Sequence, residues 1–215
     1  MSDFVHLHVH SHYSLLDGLP KIKDLVKRAK ESGFKAMALT DHGNLYGAIE
    51  FYQACLKEEI KPIIGCEVYL APISRFQKDK DKRYHHLVLL AENYDGYRNL
   101  MKLISIGHLE GFYYKPRIDK EVLQKYSHGL IASSACLAGE IPRALVREEN
   151  YDKAKKAALE YQQIMGPGNF YLELMDLPAL HGQTELNNQL IKLSRDTGIP
   201  LIVTRDVHYL NQEDD

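Results

Sequence analysis

Histidines and carboxylates recur two residues apart at both ends of this 215-residue chain: His8 and His10 near the start, Asp206 and His208 near the end. Side chains on an extended strand alternate between faces, so residues two apart share one face. Two neutral imidazoles, or an imidazole and a carboxylate, presented in that way can chelate one divalent cation. Either pair alone reads equally well as the polar face of an edge strand. Two pairs of the same geometry in one small domain favour a metal site. His6 and His12 have the same parity as His8 and His10, and spacing does not choose among the four.

Other reactive side chains stand where apolar runs begin or end. Asp17 lies on the loop after the first run, and His42 sits in Thr40-Asp41-His42-Gly43-Asn44. Glu67 interrupts the apolar run Gly65-Cys66-Glu67-Val68-Tyr69, and His86 precedes another. A lone glutamate in such a run is ordinarily a sheet-edge charge; beside a histidine cluster it is a candidate bridging carboxylate. Cys136 follows Ser133-Ser134-Ala135 in a small-residue turn. Cys55 and Cys66 read as small buried hydrophobes, and Cys136 alone would read the same way. His108, His128 and His181 fall in helical or loop contexts and read as surface or capping residues.

These residues meet only if the chain brings them to one rim. Alternation and short apolar runs predict strands at residues 4–9, 36–40, 62–70, 87–91, 130–133, 170–174 and 201–204. Helical periodicity follows most of them. Pro20 suits a first helical turn. Ile22, Leu25, Val26 and Ala29 form one stripe, closed by Gly33. Leu45, Ala48, Ile49, Tyr52, Cys55 and Leu56 form a second stripe over residues 45–57. Further helices are predicted over 95–106, 120–126, 138–147, 151–165 and 184–196, with Gly166-Pro167-Gly168-Asn169 breaking one of them. Repeated strand–helix units imply parallel strands with right-handed crossovers. In such folds function collects at the carboxyl ends of the strands, where all the candidates lie except His86. Residues 75–83 read as a solvated charged loop, and residues 111–117 mix aromatic and basic side chains. The pattern is α/β, with open sheet and closed barrel both compatible. The last strand is followed by too few residues for another helix, so a piece of something longer is expected.

Composition narrows the functions. With 27 Lys+Arg against 29 Asp+Glu the chain is nearly neutral, which argues against a broad basic face for DNA. Its 45% hydrophobic content is that of a globular domain, too high for a disordered tail. No apolar run approaches the ~18 residues that span a membrane. The first ten residues carry Asp3, His6, His8 and His10 where a secretion signal needs an apolar core. Three scattered cysteines suggest no disulfide framework and fit a reducing cytoplasm.

Seven motifs together resemble a known family. They are Phe-Val-His-Leu-His-Val-His-Ser-His-Tyr-Ser-Leu-Leu-Asp-Gly (4–18), Thr-Asp-His-Gly-Asn-Leu-Tyr-Gly-Ala (40–48) and Lys-Pro-Ile-Ile-Gly-Cys-Glu-Val-Tyr (61–69). Further on come His-Leu-Val-Leu-Leu-Ala (86–91), Glu-Gly-Phe-Tyr-Tyr-Lys-Pro-Arg-Ile-Asp (110–119), Ser-Ala-Cys-Leu-Ala-Gly-Glu (134–140) and Asp-Val-His-Tyr (206–209). The chain resembles the polymerase and histidinol phosphatase (PHP) domains over residues 1–215. Within them it is similar to the amino-terminal domains of bacterial DNA polymerase III alpha subunits.

That resemblance implies a distorted seven-stranded (β/α)7 barrel, and up to three divalent ions on nine ligands. His8, His10, Glu67 and Asp206 would hold the first ion. Glu67 would bridge to a second, completed by His86 and Cys136, and Asp17, His42 and His208 would hold the third. Stand-alone phosphatases of the family usually carry histidine where this chain has Cys136, and cysteine there resembles the polymerase branch. His12 replaces a residue that is often acidic in polymerase relatives and is not a ligand. Zinc suits the histidine and thiolate set, with manganese or iron suited to the carboxylate-rich position. Three such ions outweigh four anionic ligands, leaving a positive pocket for phosphate. No separate organic nucleophile is required, because the ions activate water.

The implied reaction is removal of nucleotides from a DNA 3′ end, beside the remaining domains of the polymerase and a separate proofreading exonuclease subunit, in the cytoplasm and without a membrane. A phosphomonoesterase acting on histidinol phosphate or a nucleotide would use the same ligands. A non-catalytic domain that steadies a polymerase is the alternative of another class. Lys115 and Arg117, beside Tyr113 and Tyr114, are candidates to guide a single strand by charge and stacking. The competing reading is a solvated loop with tyrosines packed beneath it.

Overall fold

The computed structural model describes residues 4–15, 17–79, 84–177 and 180–214. Seven strands run through it: Ala36–Leu39 (β1), Lys61–Leu70 (β2), His85–Ala91 (β3), Arg117–Ile118 (β4), Leu130–Ser133 (β5), Phe170–Met175 (β6) and Leu201–Thr204 (β7). Seven helices accompany them: Ile22–Glu31 (α1), Ala48–Lys57 (α2), Tyr94–Leu109 (α3), Lys120–Lys125 (α4), Glu140–Val146 (α5), Tyr151–Met165 (α6) and Gln183–Thr197 (α7).

The helices begin and end where local chemistry dictates. Asn93, Asp119 and Asn150 accept backbone N–H groups of the first turns of α3, α4 and α6. Gly33, at a φ of +78°, lies just past the end of α1, a conformation that disfavours other residues. Pro20 lies before the helix rather than in its first turn, since α1 starts at Ile22. The stripe Ile22, Leu25, Val26 and Ala29 is buried as a unit. The α2 stripe splits: Ala48, Phe51 and Cys55 are buried, whereas Ile49, Tyr52 and Leu56 are exposed. One helix side cannot hold all the apolar positions of that segment, because they extend over more than one face.

The sheet order is β1-β2-β3-β5-β6-β7, with β4 beside β2. Neighbours are parallel except that β3 runs antiparallel to both β2 and β5. The expectation of uniformly parallel strands fails there for a simple reason. Among the described residues no helix crosses over between β2 and β3, and the chain returns beside the strand it has just left. Residues 4–9 were expected as a strand but form only isolated bridges, His6 with Met37 and Val9 with Val207. The His6 and Val9 carbonyls accept from Ala38 and Thr40, while on the other side the His10 N–H donates to the Val207 carbonyl and the Val207 N–H donates to the His8 carbonyl. This segment therefore lies between β1 and the residues after β7, and it curls the sheet into the expected distorted barrel. The two-residue strand β4 was missed because it falls inside an aromatic and basic segment.

Two large apolar clusters back the sheet, beside a third, minor one of Ala38, Val88, Leu90 and Ala135. The larger lies under α3 to α7 and includes Leu87, Leu100, Leu123, Tyr161 and Phe170. The smaller joins Val9 and Met37 to Ile22, Val26 and Phe51 of α1 and α2.

Candidate metal centre

Glu67 is the hub of a cluster of histidines and acids. It lies in the buried half of β2 with 1% of its surface exposed. Its Oε1 is 2.9 Å from His86 Nδ1 and 3.5 Å from His8 Nε2; its Oε2 is 2.8 Å from His42 Nδ1 and 3.4 Å from His10 Nε2. Asp206 Oδ1 closes the group at 3.1 Å from His8 Nε2 and 3.3 Å from His10 Nε2. The exception among the sequence candidates now has its explanation. Because β3 runs antiparallel, its beginning reaches the rim where parallel strands end, and His86 pairs in register with Tyr69 of β2.

The other candidates surround this hub. Asp17, on a half-exposed loop, places Oδ2 3.2 Å from His42 Nε2. That loop folds tightly at Gly18, where any Cβ would lie 2.0 Å from the Ser11 carbonyl oxygen. Cys136 Sγ is 3.8 Å from Glu67 Oε1 and 3.9 Å from His86 Nδ1. The His208 ring stacks on His10 at 4.2 Å. Asp206 and Ala135, beside Cys136, have positive φ of 49° and 57°, a strained backbone that recurs at functional sites. The structure also separates the histidines that spacing left equivalent. His6 turns to Phe4 and Phe34, and His12 packs on Tyr13.

Two carboxylates that sequence analysis passed over support the cluster from behind. Glu173 of β6, 1% exposed, accepts from His8 Nδ1 at 2.7 Å and from the hydroxyls of Ser133 and Thr204. Asp41, 2% exposed, accepts from Ser14 Oγ at 2.7 Å and from Ser11 Oγ at 2.8 Å. Since the Ser14 hydrogen goes to Asp41, the contact at 2.8 Å with His10 Nδ1 has the imidazole as donor. The signal for Glu173 was legible: like Glu67, it is an acid inside an apolar run.

The electrostatics follow from this crowding. Burial alone would raise the Glu67 carboxyl, but His86, His8 and His42 hold it well below the usual range. Asp206 is likewise opposed by burial yet brought down to about 2, chiefly by His8 and His10. His8 is raised well above its ordinary value by Asp206, Glu173 and Glu67 against the pull of burial. His42 is raised too, against burial, by Glu67 and Asp17. Burial pushes His10 down and the Cys136 thiol well up.

Donor chemistry tests whether divalent cations fit. His8 Nε2, His10 Nε2, His42 Nδ1, Glu67 Oε2 and Asp206 Oδ1 are buried and lack hydrogen-bond partners. Buried polar atoms are ordinarily satisfied, and unsatisfied ones are costly. These five face one another, which is the arrangement metal ligands need. Among the described residues, three sets have ligand atoms mutually within 4.8 Å: His8, His10 and Asp206; His42, Glu67 and His86; and His10, His42 and His208. The first set is part of the expected first-ion site, whereas the other two cut across the expected grouping. A cavity of about 410 Å³ shares Asp206 and His208 with the cluster but is otherwise lined by residues such as His6, Phe34 and Arg205. Ligand chemistry, not hollow volume, therefore locates the centre.

The basic candidates part company. Lys115 Nζ stands 5.3 Å from the Tyr69 ring, which lies 5.3 Å from His86 and 5.8 Å from His42. Arg117, expected beside it as a strand guide, is 2% exposed; its guanidinium donates to the Gly111 and Arg75 carbonyls. Being in β4, it points into the fold and braces a loop. Arg75, expected in a solvated loop, is 8% exposed and bound to Asp119 and Glu110. Residues 80–83 of that expected loop lie outside the described residues.

This mixed α/β barrel with a histidine- and acid-lined rim is a fold shared with known proteins, and comparison with them specifies its family. Residues 6–177 match the PHP domain, and the chain belongs to that family. It is 51% identical to DNA polymerase III subunit alpha of Borreliella burgdorferi over 99% of its own length and 19% of that protein's. The chain thus spans about a fifth of that relative. Its fold is similar to an amidohydrolase from Chromobacterium violaceum, at a TM-score of 0.60 and 14% identity, covering 95% of this chain and 87% of the other. It is also similar to a two-domain protein of Bacteroides vulgatus described as containing a predicted PHP-like metal-dependent phosphoesterase. There the TM-score is 0.55 and the identity 16%, over 98% of this chain and 53% of the other.

Proposed function

We propose that this chain is the PHP domain of a bacterial replicative DNA polymerase alpha subunit, and that it hydrolyses phosphodiester bonds at the 3′ end of DNA. The observation that carries the hydrolytic reading is the convergence of five unpartnered buried ligand atoms on one rim. The half-identical relative over the whole chain carries the polymerase context. His8, His10, Asp17, His42, Glu67, His86, Cys136, Asp206 and His208 would hold two to three divalent cations, zinc by preference. Bound there, such cations neutralise phosphate charge and acidify water.

The residues of the chain do the rest. Glu67 sits between the two halves of the rim, within reach of four imidazoles. Ser14, itself held by Asp41, contacts the far nitrogen of the His10 ring, and Glu173 contacts that of His8. Lys115, above Tyr69, attracts the phosphate backbone of an incoming strand. No described helix is long and apolar enough to cross a membrane.

The test compares nucleotide release from 3′-labelled single-stranded DNA with phosphate release from small phosphomonoesters, using protein purified without chelators. Chelator-sensitive release from DNA is expected. Hydrolysis of monoesters alone would replace this reading with a phosphatase. Loaded protein that cleaves neither would leave a domain with a structural role.

A further inference from the structure

The buried carboxylate of Glu173 has no role in the cation-holding set, yet it makes the closest contact to one of that set's histidines. We propose that Glu173 is a positioning residue: it fixes His8 with its Nδ1 protonated, so that the Nε2 lone pair faces the Asp206 side of the rim. This rests on the metal reading given above.

Three observations carry it. Glu173 Oε1 is 2.7 Å from His8 Nδ1, and both side chains are fully buried, so the contact is not a chance surface pairing. Glu173 is itself fixed from three sides: the Ser133 and Thr204 hydroxyls donate to its carboxylate, and its backbone N–H donates to Ser134 Oγ at 2.9 Å. Strands β5, β6 and β7 thus share in holding one oxygen pair. Finally, the opposite nitrogen, His8 Nε2, is buried, lacks a hydrogen-bond partner and lies 3.1 Å from Asp206 Oδ1. A carboxylate behind an imidazole selects the tautomer, orients the ring and makes the far nitrogen a better ligand. Among the described residues Glu173 is the hydrogen-bond partner of His8 Nδ1, and the His8 ring is fully buried.

Glu173→Gln preserves volume and an acceptor oxygen but removes the charge. Zn²⁺ affinity of the purified protein is measured by competition with a chromophoric chelator, and melting temperature is followed in the metal-free state. The wild type is expected to bind Zn²⁺, and E173Q to weaken one of the bound ions by about 10- to 100-fold, with the metal-free melting temperature little changed. Equal affinities in the two proteins, or a lower melting temperature with affinity unchanged, would overturn the positioning role. Failure of the wild type to bind Zn²⁺ would instead overturn the metal reading beneath it. Should E173Q not fold, ¹⁵N NMR of the Zn²⁺-loaded wild type decides alone: a protonated His8 Nδ1 supports the inference, and a bare Nδ1 overturns it.

Discussion

Two buried charged clusters sit at different places in this barrel, and they are built on opposite rules. Around Arg75, each charged group answers another. The guanidinium bonds to Glu110 and Asp119, Asp119 also caps α4, and the Arg117 guanidinium donates to two carbonyls and lies over the Tyr113 ring. Around Glu67, imidazoles and acids crowd together and leave five buried atoms without hydrogen-bond partners. The first cluster is complete as it stands and serves the fold. The second, on the reading proposed above, would be completed by divalent cations. Burial of charge therefore does not distinguish function from structure in this protein; the pattern of satisfaction does.

The contrast can be broken most forcefully at its functional end. Replacing His8 and Asp206 together by alanine should abolish high-affinity Zn²⁺ binding, a loss beyond the roughly 100-fold that changes in ligand partners cost. Chelator competition reads it, and 3′-end nuclease activity should fall in parallel.

The reverse experiment is Arg75→Ala. It leaves the buried Asp119 carboxylate with backbone N–H donors and no guanidinium, and should cost about 3 kcal/mol of stability, by denaturant titration, since breaking a buried pair costs more than the pair is worth. Zn²⁺ affinity should not change. A matching loss of affinity would show that the two clusters are coupled.

Acidity separates the clusters next. His8 and His42 have raised values in the fold, so their contribution to metal-free stability is fully present below about pH 6.5 and fades as pH rises through those values. His10, lowered by burial, acts in the opposite sense below that pH. Thermal melting of the metal-free protein should thus decline on the alkaline side. Zn²⁺ affinity should rise over the same range, as protons stop competing for the imidazoles.

The smallest effect is expected at the rim. Lys115→Ala should weaken single-stranded DNA binding a few-fold and reduce its salt slope by about 0.7. Arg117→Ala should instead lower the melting temperature, because its guanidinium is engaged with the Gly111 and Arg75 carbonyls rather than with solvent.

Much of the candidate site was legible before any coordinates. His8, His10, Asp206 and His208 declare themselves by spacing, and Glu67 by standing in an apolar run. His86 was legible as a candidate at a strand's start, and the antiparallel return of β3 carries that start to the rim where the other candidates lie. His6 and His12 were indistinguishable from their neighbours, since alternation assumes a regular strand and this segment shifts its pairing between β1 and Val207. Arg75 and Arg117 were misread as exposed. A charged residue in a polar segment reads as solvated unless its partners, here a carbonyl or an acid more than 30 residues away, are known.

What the sequence determined alone was the inventory: strand and helix alternation, the chelating pairs, and the family to which the motifs point. These are local properties, carried by periodicity and by residue type within a few positions. Tertiary structure decided which nitrogens face each other, which acids stand behind them and which arginines are spoken for. Those outcomes depend on contacts between residues as distant as His8 and Glu173, which are adjacent only once the sheet has curled.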